Sequence, residues 1–195
     1  MDPSIANLQP VLNSYWLMIH VAVIVASYGP FALGMILGIV ALILMIFTTS
    51  KNKAKMDLNI KEITYINEMA LTVGLVLLTI GNFMGGQWAN ESWGRYWGWD
   101  PKETWALISI MVYAFVIHMR FVPALRGAWI YNFISALAFY SILMTYFGVN
   151  FYLSGLHSYA KGDQVVTPVF IWWSVGIIFT IATIAYFKYK KFYKK

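Results

Sequence analysis

The sequence predicts an all-α integral membrane protein, a bundle of about five transmembrane helices with the N-terminus outside, the C-terminus cytoplasmic and a tryptophan-rich external loop. Two observations carry this prediction. Of 195 residues, 60% are hydrophobic and 11% charged, where a soluble domain has about 25% charged residues. The few charges are also segregated. No Asp, Glu, Lys or Arg occurs between Asp2 and Lys51, nor from Gly127 to Ala160, and a bilayer core needs about 20 apolar residues per helix. These features exclude an ordinary soluble enzyme, a disordered tail and a nucleic-acid-binding protein, despite the net charge of +6.

Five apolar segments are expected to span, over Ala26–Phe47, Met69–Gly86, Thr104–His118, Ala128–Phe147 and Val169–Tyr186. Helices are the natural form, because in lipid the backbone must satisfy its own hydrogen bonds. Neither a repeat nor a linker interrupts them, so residues 1–195 read as one domain. In the first segment the helix continues outward through His20, and Pro30 is expected to kink it. The polar residues Asn67, Glu68 and Asn82 either line a path or lie near interfaces.

Basic residues set the orientation. Lys51, Lys53, Lys55, Lys61, Arg120, Arg126, Lys188, Lys190, Lys191, Lys194 and Lys195 fall on one side, and only Arg95, Lys102 and Lys161 on the other. The first group marks the cytoplasmic face. Met1-Asp2-Pro3 is acidic where a signal peptide needs a basic start. The chain contains no cysteine, so it forms neither a disulfide nor a thiolate metal site.

Chemistry concentrates in the external loop 87–103. Trp88, Trp93, Tyr96, Trp97, Trp99 and Trp105 place six large aromatics within 18 positions. An interfacial belt accounts for tryptophan in general. It does not call for Gly94 and Gly98, which let a flat partner approach the backbone, nor for Asp100 and Pro101, which cap a following helix. An aromatic shelf results, and Arg95 and Lys102 suit carboxylates at a ligand's edge. His20 and His157 lie on the same side of the membrane as the shelf, whereas His118 lies near the cytoplasmic end of the third span, on the order of 20 Å away. Each histidine taken alone also reads as an interfacial hydrogen-bonder. Together with the shelf, two imidazoles suit the faces of one planar, dianionic metal macrocycle, a haem.

The stretch Trp93-Gly94-Arg95-Tyr96-Trp97-Gly98-Trp99-Asp100-Pro101-Lys102-Glu103-Thr104 resembles the WWD signature, WGxWWxWD, of haem-handling membrane proteins. Ser14 to Val21, Ile117 to Arg120, Phe147 to Asn150 and Gly155 to Tyr159 resemble the CcsA/ResC branch of cytochrome c biogenesis proteins. The similarity runs from about Asn13 to Tyr186, and the departure is Tyr96 in place of a tryptophan.

The resemblance implies a haem-handling component of the cytochrome c synthetase in the bacterial inner membrane or its equivalent. Haem b is the expected cofactor, received near His118 and passed outward through the bundle. His20 and His157 are then the external iron ligands and His118 the transmembrane one. Trp93, Arg95, Tyr96, Trp97, Trp99, Asp100 and Lys102 form the rest of the haem site. Apocytochrome c supplies the acceptor thiols, and a CcsB/ResB-type membrane subunit is the expected partner. The histidine count bears on such a partner independently: once His20 and His157 share one iron, His118 lacks a mate, which either another subunit or water supplies. A membrane cytochrome b with permanently held haem, and a transporter whose tryptophans form an interface belt, are the rival readings.

Overall fold

A computed structural model describes residues 14–153, 155 and 168–193. Within them the chain forms five helices long and apolar enough to cross a membrane, as the hydropathy pattern predicts. We number them α1 (Tyr15–Ile46), α2 (Lys53–Trp93), α3 (Pro101–His118), α4 (Ala128–Tyr152) and α5 (Val169–Phe192). A 3₁₀ turn, Met119–Phe121, follows α3.

The helices extend well past the expected spans. At about 1.5 Å per residue α2 is roughly 60 Å long, twice the thickness of a hydrocarbon core. It carries Lys53 and Lys61 at one end and Trp88 and Trp93 at the other. The tryptophan-rich loop is therefore shorter than the 87–103 predicted. Residues 87–93 contain no glycine or proline to stop a helix, and α2 ends only at Gly94, whose positive φ of 71° lets its N–H bond back to the Asn90 carbonyl at 2.9 Å. Pro101 opens α3, leaving residues 94–100 outside regular structure. Helix α1 continues as one element through Pro30.

Helix α1 packs along α2 and also meets α4 and α5, while α3 fits against α2 and α4. Helix α1 comes close to the α4 backbone at Gly38, where a Cβ would lie 2.6 Å from the Asn132 carbonyl oxygen and 2.7 Å from Ser135 Oγ. Small residues at such crossings let membrane helices gain van der Waals contact. A polar cluster joins α2 to α4 in the same layer: the Asn67 amide donates to Asn132 Oδ1 at 3.2 Å and to Ser135 Oγ at 2.9 Å, and Asn132 donates to Thr64 Oγ1 at 2.7 Å. Phe31, Leu71, Leu78, Tyr113 and Val116 fill the adjacent core, with the Phe31 and Tyr113 rings stacked at 3.8 Å.

Helix α4 is α-helical over Ala128–Leu143, passes through a π turn at Met144–Gly148 and closes at Val149–Tyr152. Such an inserted residue shifts every side chain after it around the helix axis. Here the single Thr145 hydroxyl proton is shared between the Ser141 carbonyl at 2.8 Å and the Trp105 carbonyl at 3.0 Å, and its oxygen lies 2.9 Å from Ser109 Oγ. Asn150 in turn faces Lys102.

Candidate ligand cleft at the tryptophan-rich end

The first turns of α1, the end of α2, the start of α3 and the end of α4 meet at one end of the bundle. His20 is on α1, six residues into the helix, and is 6% exposed. Its ring stacks on Trp88 of α2 with centroids 5.2 Å apart and planes at 25°. This close fit uses Gly85, where a Cβ would already lie 3.4 Å from His20 Cδ2. His20 Nδ1 lies 2.9 Å from the Trp16 carbonyl oxygen. A carbonyl only accepts, so Nδ1 carries the proton, and in the neutral ring the lone pair is on Nε2. That is the tautomer of an imidazole oriented for a metal.

A cleft of about 260 Å³ opens beside this ring. Leu17, Val21 and Ile24 of α1 form an apolar wall, and Tyr96, Trp97 and Lys102 stand across it. Lys102 Nζ donates to Asn150 Oδ1 at 2.8 Å and lies 5.8 Å from the centre of the Tyr146 ring. The cleft thus joins an imidazole, aromatic faces and one cation on a largely apolar lining, to which Glu103, Asn82, Thr145 and Asn150 also contribute.

The segment 94–100 is fixed by hydrogen bonds at its far end. Asp100 accepts from the Lys102 backbone N–H at 3.1 Å, and Glu103 reaches back to the Asp100 N–H at 3.2 Å, so the expected cap is a reciprocal capping box. Glu103 Oε2 also accepts from the Gly98 N–H at 2.8 Å. Arg95 approaches Glu103 at 3.9 Å, lies over Trp93 with 5.6 Å to the ring centre, and packs against Gly98. Trp88 is fully buried, with Trp93 edge-on to it at 4.7 Å. Trp99 is 71% exposed and has a positive φ of 58°, a conformation that costs a bulky residue about 1–2 kcal/mol.

Of the residues singled out in the sequence, His20, Tyr96, Trp97 and Lys102 line the cleft. Trp93, Arg95, Trp99 and Asp100 shape or flank the segment beside it. His118 is distant: it stands exposed at the end of α3, its Nδ1 donating to the Ala114 carbonyl at 2.7 Å and its ring 5.9 Å from Phe121. His157 lies outside the described residues. Gly155, two positions before it, packs against Asp100 and Pro101. Gly85, Glu103 and Asn150 are contributors to which the sequence reading gave no role, and Trp88, counted there among the shelf aromatics, is buried against His20. Glu103 carries a legible signal, since Asp-x-x-Glu before an apolar run is a capping pattern; Asn150 falls in the Phe147–Asn150 resemblance, which does not tell its contact with Lys102, made beyond the π turn.

A polytopic helical membrane protein with an aromatic, histidine-bearing ligand cleft at one end is the class that fold and site define. The sequence profile of the family described as Cytochrome C assembly protein matches residues 1–157, and the chain belongs to that family. It is 55% identical over 165 residues to Protein NrfI of Wolinella succinogenes, a match covering 85% of this chain and 18% of NrfI. To the cytochrome c biogenesis protein CcsA of Guillardia theta it is 38% identical, covering 79% of this chain and 57% of the relative. To CcsA of Chlamydomonas reinhardtii it is 41% identical, covering 78% and 42%. The chain therefore spans less than two thirds of each of these relatives.

Proposed function

We propose that the chain is the haem-handling membrane part of a cytochrome c synthetase, which receives haem b, presents it at the tryptophan-rich end and positions it for covalent attachment to apocytochrome c. The observation that carries this reading is His20, a buried imidazole stacked on Trp88 at the edge of the apolar cleft. The donor set suits a metal that brings its own equatorial ligands. Among the described residues no three His, Cys, Asp or Glu side chains converge on a point, whereas one imidazole suffices on each face of a macrocycle. Tyr96 and Trp97 offer ring faces and Lys102 a cation for a carboxylate.

His157 is proposed as the second axial ligand, a role supported by Gly155 packing on the Asp100 cap. Trp93, Arg95, Trp99 and Asp100 are proposed to complete the site as the floor and rim of the loop. His118 is proposed as the ligand on the other half of the route. It stands on the outer surface of α3, and the bundle interior is filled by Phe31, Leu71, Leu78 and Tyr113. The route is therefore drawn along the outside of α3 beneath a CcsB/ResB-type subunit, in place of a path through the core. In the attachment step each thiol of the apocytochrome adds its S–H across a haem vinyl group. The protein's part is positioning.

The test is a reduced haem spectrum of the chain purified with a ResB-type subunit. His20→Ala and His157→Gly should each lower haem occupancy several-fold, with added imidazole partly restoring His157→Gly. Haem at wild-type level in both variants overturns the assignment. Haem that apocytochrome c fails to remove points to a permanently loaded cytochrome b.

A further inference from the structure

A second cavity, of about 660 Å³, lies at the opposite, basic end of the bundle. Its charged lining is Asp57, Lys61, Glu68, Arg120 and Arg126. Four of these are matched: Lys61 pairs with Asp57 at 2.8 Å, and Arg120 pairs with Glu68. Among the described residues Arg126 has no carboxylate within ion-pair distance. The cavity is also lined by Tyr131, which is 5% exposed and whose buried hydroxyl has no hydrogen-bond partner. An orphaned buried hydroxyl costs about 1–3 kcal/mol. Arg126, exposed at the cavity, and the Tyr131 hydroxyl, buried in its wall, together suit an anion with hydrogen-bond-accepting oxygens.

The position of the cavity selects the kind of anion. Its α2 wall, Asp57 to Glu68, immediately precedes the apolar run that begins at Met69, the depth at which lipid headgroups lie. From Tyr65, itself part of the wall, an exposed apolar stripe continues along α2 at helical spacing through Met69, Val73, Val76, Ile80 and Phe83. A lipid with its head in the cavity would have its acyl chains on that stripe. We propose that the cavity binds the phosphodiester head of an anionic membrane lipid, with Arg126 as counter-charge and the Tyr131 hydroxyl as donor. Basic pockets between transmembrane helices commonly serve this purpose. The inference is independent of the haem reading, since it uses neither the cleft nor a histidine.

The test is thermal unfolding of the full chain in detergent, titrated with phosphatidylglycerol, phosphatidylcholine or inorganic phosphate. Phosphatidylglycerol alone should raise the midpoint. Arg126→Gln should weaken its binding roughly fivefold, as expected for one basic contact. Tyr131→Phe should blunt the lipid-induced shift while leaving the lipid-free midpoint unchanged or higher, because it deletes an unsatisfied hydroxyl. Equal shifts with both lipids overturn the proposal, as does a phosphatidylglycerol shift that survives both substitutions. An equal shift with inorganic phosphate overturns the lipid source, and a lower lipid-free midpoint in Tyr131→Phe overturns the orphaned donor.

Discussion

Glu103 shows how much one side chain can organise when its neighbours are short of partners. The segment 94–100 has no regular secondary structure, so its N–H groups depend on side chains or water. One carboxylate oxygen of Glu103 takes two of them, from Gly98 and Asp100, and the other lies towards Arg95. Removing it strands all three at once. Glu103→Ala should destabilise the segment by about 1–3 kcal/mol, whereas Glu103→Gln keeps an oxygen for the backbone and should lose less. Arg95 provides the measurement, because trypsin cuts after arginine only when the backbone opens. Cleavage after Arg95 should be faster by roughly fivefold or more in Glu103→Ala than in wild type at 1.4 kcal/mol per tenfold, with Glu103→Gln between them. Unchanged cleavage would mean that the segment is held by its aromatic contacts alone. The strained Trp99 beside it is a separate matter: φ of 58° suits glycine far better, so its indole is retained at a cost in stability, consistent with a use for the exposed ring.

The helices themselves were legible in the sequence, and so were the end of α3 at His118 and the starts of α4 and α5 at Ala128 and Val169, but both ends of α2 were not. Long runs free of charge force spanning helices irrespective of detail, because lipid leaves the backbone no other partner. Helix ends depend on weaker, local signals. Asn90, Glu91 and Ser92 look loop-like by polarity, yet nothing in them stops a helix before Gly94. Asn67, which the sequence places either along a path or near an interface, lies fully buried in the layer where α1, α2 and α4 meet. Sequence reading could not place it there, since the rotation of each helix is set by neighbours distant in the chain. That layer makes a sharp expectation about Gly38. A valine would force branched carbon against the Asn132 carbonyl oxygen and Ser135 Oγ, with an overpacking cost of about 1–3 kcal/mol or more. Gly38→Val should therefore lower the unfolding midpoint by several degrees. Gly176→Ala on α5, where a Cβ meets nothing within 4 Å, should not lower it. Equal midpoints would mean that α1 does not approach α4 so closely.

At the scale of the whole molecule the bundle is polarised, with an aromatic cleft at one end and a basic cavity at the other. Much of that polarity was legible, because it follows from where Trp, Lys and Arg occur along the chain. The proposed placing of the tryptophan-rich end outside the cell rests on the same distribution, since nine of the described basic residues lie at the opposite end. The chain has no cysteine, so single thiols report orientation without background. Tyr96 is 61% exposed beside the cleft, and Lys55 is exposed near the start of α2, at the basic end. In intact cells with a permeable outer boundary, a membrane-impermeant maleimide should label Tyr96→Cys and leave Lys55→Cys unmodified until the membrane is lysed. Tyr96 lines the cleft, so prior loading with haem should slow its labelling relative to that of Ser92→Cys, on the last turn of α2 and outside the cleft lining. The reversed pattern, Lys55→Cys labelled first, would place the cleft on the cytoplasmic side. Haem attachment outside the membrane would then have to be assigned to other residues.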